Sequence, residues 1–222
     1  MRAYLPMLVL AATASPLAAT TDARLQQLLA ESAKAPVVAF ERTTRTELRA
    51  DPKAEPALVV DRFTPKSEAS GSWTVVSVDG RKPAQHELEA HAKGNSTPPG
   101  FHNLHRLLGP TPTSRRESGG KTIYFWKSLP KGAVVTPGGD ISSHLSAEAT
   151  LDGSELEEVR IFASQPFRVK IVASVNKFNV ISQYRPGGNG LPFLSAQTSD
   201  TDVTAPMGMG GKRRSIASFK PL

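Results

Sequence analysis

The chain has 222 residues, 27 Lys+Arg against 20 Asp+Glu, a formal net charge of +7 and no cysteine. The lack of cysteine excludes disulfides, thiolate metal sites and thiol catalysis, so burial and backbone ladders must carry stability. The length suits one domain with its own core, and the basic balance favours anionic partners such as lipid headgroups or acidic glycans.

The first nineteen residues carry Arg2, an apolar run from Leu5 to Ala12, and small residues ending at Ala18-Ala19. This is the pattern of a secretory signal peptide, too short to span a bilayer core that needs roughly 20 residues. Cleavage after Ala19, or alternatively after Ala14, is expected. Residues 1–19 are thus read as the signal and 20–222 as a single domain, exported to the periplasm. No Cys follows the apolar run, so no lipid anchor through an N-terminal cysteine is expected. Outside the cytoplasm, ATP-driven and nicotinamide-driven chemistry are disfavoured, and nucleic acid is not an expected partner.

Thr21 or Asp22 can cap a helix to about Ala35, with Leu25, Leu28, Leu29 and Ala33 at helical spacing and Pro36 ending it. Residues 37–48 read as a strand, 51–56 as a turn-rich break, and 57–63 and 72–78 as two further strands. Asp79-Gly80 signals a turn, and Pro83 opens a helix to about Lys93. Phe101, Leu104, His105 and Leu108 are spaced for a short amphipathic helix, stopped by Gly109-Pro110.

Beyond this the pattern is β. Gly119-Gly120 joins strands at 114–118 and 121–129, and Asp152-Gly153 joins 143–151 to 155–163 as a two-residue hairpin of type I′. Residues 165–184 form a long β-rich stretch, with Phe167, Val169, Ile171, Ala173 and Val175 in alternate positions. Strands at 191–198 and 215–220 complete some six strands in this half. The order predicts an α+β protein: a curved, incompletely closed antiparallel β-sheet, or half-barrel, covered by a few helices. A sheet that curls without closing leaves an apolar pocket beneath its helices.

That element order, with the signal peptide, resembles the LolA/LolB-like family of periplasmic lipoprotein carriers. The stretches from Asp61-Arg62-Phe63 through Trp73 to Pro83, and from Gln165-Pro166-Phe167 to the last strand, resemble uncharacterised exported proteobacterial proteins. The resemblance covers most of residues 20–222. It implies an unclosed barrel with a helical lid over a hydrophobic cavity, and the missing N-terminal cysteine matches the soluble carrier rather than its anchored acceptor. It also implies a strand arginine that holds the lid; Arg42, Arg45 and Arg49 lie in that region, and no motif selects among them.

Other chemistry finds little support. His86 and His91 are five residues apart and diverge by about 140° on a helix, whereas the zincin motif needs i and i+4. His102 and His105 are better spaced, with no third ligand implied. There is no G-x-S-x-G elbow. Asp140 and Glu148 form no more than a chance carboxylate pair. Gly208-Met209-Gly210-Gly211 reads as a flexible hairpin, beside a Lys212-Arg213-Arg214 run that reads as a solvated turn or a contact for anionic lipid. Tyr124-Phe125-Trp126 places Tyr124 and Trp126 on one strand face.

The expected function is non-enzymatic binding of an apolar or lipid-linked ligand, with Trp73, Tyr124, Trp126 and Phe167 as candidate cavity residues. The partners it implies are a lipid or an acylated protein and an anionic membrane surface; no metal or other cofactor is implied, and no oligomeric state. The alternatives are an envelope interaction or structural module with a filled core, and a hydrolase with an unrecognised site.

Overall fold

The computed structural model describes residues 22–67, 70–94, 97–136, 138–169, 173–206 and 210–222. The expected signal peptide and its expected cleavage site lie outside the described residues, as do Ile171, Gly208 and Met209. Helix α1 (Ala23–Lys34) is followed by strands β1 (Phe40–Leu48), β2 (Leu58–Ser67) and β3 (Ser70–Val78), then helix α2 (Gln85–Gly94). A 3₁₀ turn (Phe101–Asn103) leads into the one-turn α3 (Leu104–Leu107). Strands β4 (Ser114–Ser118) and β5 (Lys121–Trp126) come next, then the short β6 (Val135–Thr136) and β7 (Gly139–Asp140). The chain ends with β8 (Ser146–Asp152), β9 (Glu155–Phe162), β10 (Phe167–Val169), β11 (Ala173–Pro186), β12 (Pro192–Thr204) and β13 (Gly211–Pro221).

Eleven strands form one antiparallel sheet in the order β3-β2-β1-β13-β12-β11-β9-β8-β5-β4, with β10 added beside β11. The outer strands β3 and β4 do not pair, so the sheet does not close into a barrel. β4 (SRRES) is exposed throughout, and its charges make a poor template for further strand pairing. No helix among the described residues is long and apolar enough to cross a membrane.

Directly opposed residues share a face, so the register defines the helix-bearing side. One row crosses the sheet from β2 to β5 as Val59, Thr44, Ala217, Gln197, Ser182, Val159, Ala149 and Tyr124. Its β5 end is buried under α1 in a cluster that includes Leu25, Leu28, Leu29, Tyr124, Trp126, Ala149 and Val159. A second cluster holds Phe40, Phe63, Leu194, Ala217 and Phe219, with Trp73 packed on it. Tyr184 packs against both clusters. The middle of the row, Thr44 to Ser182, is small or polar.

Several expectations are corrected. Residues 165–184 are not one strand: Phe167 opposes Val175 and Val169 opposes Ala173, so the alternating apolar positions fold back on each other as a hairpin. The β8–β9 turn is centred on Gly153-Ser154, because Asp152 pairs with Glu155. Positive φ occurs at Gly153 (54°) alone, as a glycine-first turn requires, and not at both central residues as type I′ would. Asp79 and Gly80 do both take positive φ, at 48° and 77°. Strands β2 and β3 run on to Ser67 and Ser70, and ten strands follow α3 rather than six. Lys212, Arg213 and Arg214 lie in β13, not in a turn; Arg213 pairs with Glu55 and Arg214 with Glu47.

Candidate functional site

Two helices reach the same sheet face by different chemistry. Asp22 caps α1 by accepting from the Arg24 amide at 3.0 Å, and it also accepts a 2.6 Å hydrogen bond from the Tyr124 hydroxyl. The Tyr124 bond, reinforced by backbone amides and Arg115, outweighs burial and holds the Asp22 carboxyl below its usual range. The far end of α1 is tied by Ser32, which is fully buried and donates to the Phe101 carbonyl at 2.7 Å. Ser32 Oγ also accepts from the His105 amide. The Ser32–His105 pair is therefore a structural clip, with its hydroxyl committed and sealed from solvent.

Among the described side chains of helix α2, none is a buried apolar one. Arg81 and the Ala84 amide bind Glu87 at the helix start, drawing its carboxyl down to about 2. Leu88 is 39% exposed. The contact that binds α2 to the sheet is polar: His91 Nε2 lies 2.6 Å from Asp61 Oδ2 on β2. Arg42 on β1 grips the same carboxylate with two bonds, Nε to Oδ1 at 3.0 Å and Nη2 to Oδ2 at 2.6 Å. The Arg42 guanidinium also lies 4.4 Å over the Trp73 ring, which meets His91 edge-on. Asp61 is 1% exposed. Burial pushes its carboxyl up, but the hydrogen bonds from His91 and Arg42 and their charges more than offset this and hold it below its ordinary value.

Beneath this latch, Phe40, Phe63, Trp73 and Phe219 form an aromatic stack with ring centroids 5.3–5.6 Å apart. Gly71 makes the stack possible: a Cβ there would lie 2.2 Å from Phe63 Cζ. Phe40 and Phe219 also line a cleft of about 580 Å³, together with Phe101, Leu191, Phe193 and Leu194. The cleft sits where β1 begins and β11 and β13 end, roofed by the segment after α1 and by the loop before the 3₁₀ turn. Its size and apolar walls are those of a small-molecule site. Tyr184, half-buried on the helix-bearing face between the two clusters, has its phenol pushed above its ordinary range by desolvation.

The four sequence candidates do not share one cavity, and none of them lines this cleft. Tyr124 and Trp126 are neighbours, 6.3 Å between rings, within the filled α1 side. Trp126 is 3% exposed and donates to the Gly109 carbonyl at 2.9 Å. Phe167 stacks on His144 at 4.6 Å beside the same cluster. Trp73 alone belongs to the aromatic stack that backs the cleft. Phe40, Phe193 and Phe219 escaped attention because their strands were read as ordinary alternation; only the register places them together. Of the three arginines singled out, Arg42 reaches the helix contact, Arg45 is exposed, and Arg49 bonds the Pro52 and Glu55 carbonyls.

Among the described residues, no three His, Asp or Glu side chains converge as metal ligands. No family model matches the chain, and neither a curated protein nor a solved structure matches it.

Proposed function

We propose that this protein is a non-enzymatic periplasmic binding protein for an apolar or lipid-linked ligand, in the manner of a lipoprotein carrier. The observation that carries this reading is the 580 Å³ cleft walled by Phe40, Phe101, Phe193, Phe219, Leu191 and Leu194 at the open end of the sheet. Each acyl CH₂ moved from water into such walls contributes about 0.8 kcal/mol, which is ample driving force for a single chain. The cover of the cleft is the segment after α1 and the loop before the 3₁₀ turn, and no residue of α2 lines it.

The test is native mass spectrometry and solvent extraction of protein purified from the periplasm without detergent. The expected result is a stoichiometric co-purifying lipid that added fatty acid displaces. A protein that carries none and takes up none is the interaction module with a filled core, the reading that the tightly packed α1 side favours.

A further inference from the structure

The cleft has a chemical asymmetry that narrows its ligand. Among the described residues, the ionisable side chains that line the cleft are His102 and Arg185, with no Asp or Glu; Leu222, the last residue of the sequence, lies in the lining too. Burial lowers the His102 pKa and favours its uncharged form, and its buried Nε2 has no hydrogen-bond partner among the described residues. Arg185 is the penultimate residue of β11, exposed at the rim. Its guanidinium lies 5.7 Å over the Phe193 ring, and Phe193 is itself a cleft wall. Among the described residues Arg185 has no ion pair and no hydrogen bond. Arg42, Arg62, Arg81, Arg115, Arg116, Arg160, Arg213 and Arg214 pair with carboxylates, whereas Arg24, Arg45, Arg49, Arg106 and Arg168, like Arg185, form no ion pair among the described residues; Arg185 alone of these six lines the larger cleft. On its other side Arg185 borders a smaller cleft of about 310 Å³ with Arg24, Glu31 and Glu155, and neither glutamate is within ion-pair distance.

A guanidinium on an aromatic face at the rim of an apolar cleft, with no carboxylate partner, has a fork of N–H donors that matches an oxyanion. The geometry points to an anionic single-chain amphiphile: a carboxylate or phosphate head on Arg185 and an alkyl chain laid between Phe193, Phe40 and Phe219. This rests on the binding-protein reading above and adds the charge of the head. A neutral or cationic head of equal chain length forfeits the Arg185 contact and gains nothing in exchange.

The experiment is calorimetric titration of the purified protein with dodecanoate, dodecyl phosphate, dodecanol and dodecyltrimethylammonium, the ionic probes below their critical micelle concentrations and dodecanol below its solubility limit. The unaltered protein is expected to bind at least one anionic probe about 10-fold or more tightly than dodecanol, the range for a hydrogen bond to a charged group, and the cation most weakly. Arg185→Gln should bring the anions to the dodecanol level while leaving dodecanol within about 2-fold, and Arg185→Lys should keep most of the preference. Whichever of carboxylate and phosphate binds more tightly names the head. Equal affinity for anion and alcohol, or a preference that survives Arg185→Gln, overturns the anionic head and leaves the apolar cleft standing. Failure of all four probes to bind overturns the cleft reading and this inference with it. Because Arg185 is exposed and forms no ion pair among the described residues, its variants are expected to keep the parent's fold, with circular dichroism as the check.

Discussion

Helices α1 and α2 rest on the same face of one sheet, and they are held in opposite ways. α1 buries Leu25, Leu28, Leu29 and Ser32 and is capped and clipped at both ends. α2 presents an exposed Leu88 and reaches the sheet through His91 and a buried carboxylate. Apolar burial is non-directional and additive over area, so it gives a permanent wall. A polar contact depends on charge and geometry, and it can be made and broken at little cost to the rest of the core. The difference makes α1 the helix anchored by apolar burial and α2 the helix anchored by a polar contact.

Four measurements can break or sharpen that contrast. The largest effect is expected on the α1 side, where Trp126→Ala should destabilise the whole domain by about 3–5 kcal/mol in urea unfolding. A loss below about 1 kcal/mol would mean that this side is not a filled core.

Asp61→Asn comes next, at about 2 kcal/mol, less than for a fully buried pair because Arg42 and His91 keep some access to water. The same residue predicts a pH dependence. The folded-state pKa of Asp61 lies below the unfolded value of about 3.9, so its contribution is complete above that pH and is lost as pH falls through the folded pKa. Asp22, Glu55 and Asp140 are shifted the same way, so the parent-minus-variant difference isolates Asp61. That difference should shrink steadily below about pH 4; a pH-independent difference would remove the carboxylate from the latch.

Gly153→Val should cost about 1–2 kcal/mol through backbone strain alone, since φ is 54° and a Cβ there would meet no atom within 4 Å. A variant of unchanged thermal midpoint would show that the β8–β9 turn relaxes freely. The smallest global effect belongs to His91→Ala, about 1 kcal/mol, with its signature local. Amide exchange in Gln85–Gly94 should quicken roughly 5-fold while exchange in Ala23–Lys34 is unaltered. Equal acceleration in both helices would end the distinction between them.

The sequence by itself determined the local elements. Asp22 and Pro36 bracket α1, Gly119-Gly120 and Gly153 mark two hairpins, and period-2 runs mark the strands, because caps, turns and alternation act within a few residues. An open antiparallel sheet bearing helices also followed from element order. Only the tertiary structure decided which side chains meet. Residues 165–184 look continuous in sequence, yet β10 folds onto β11, because alternation is identical in one long strand and in two short ones. The four candidate aromatics were chosen for bulk and face, and the register then put Tyr124, Trp126 and Phe167 with the filled α1 side and Trp73 in the stack behind the cleft. The pairing of Arg42 with Asp61 and His91 spans three elements, and the place of Arg185 at a cleft rim depends on where four strand ends converge. Such contacts are set by sheet register and chain reversal, which no local pattern encodes.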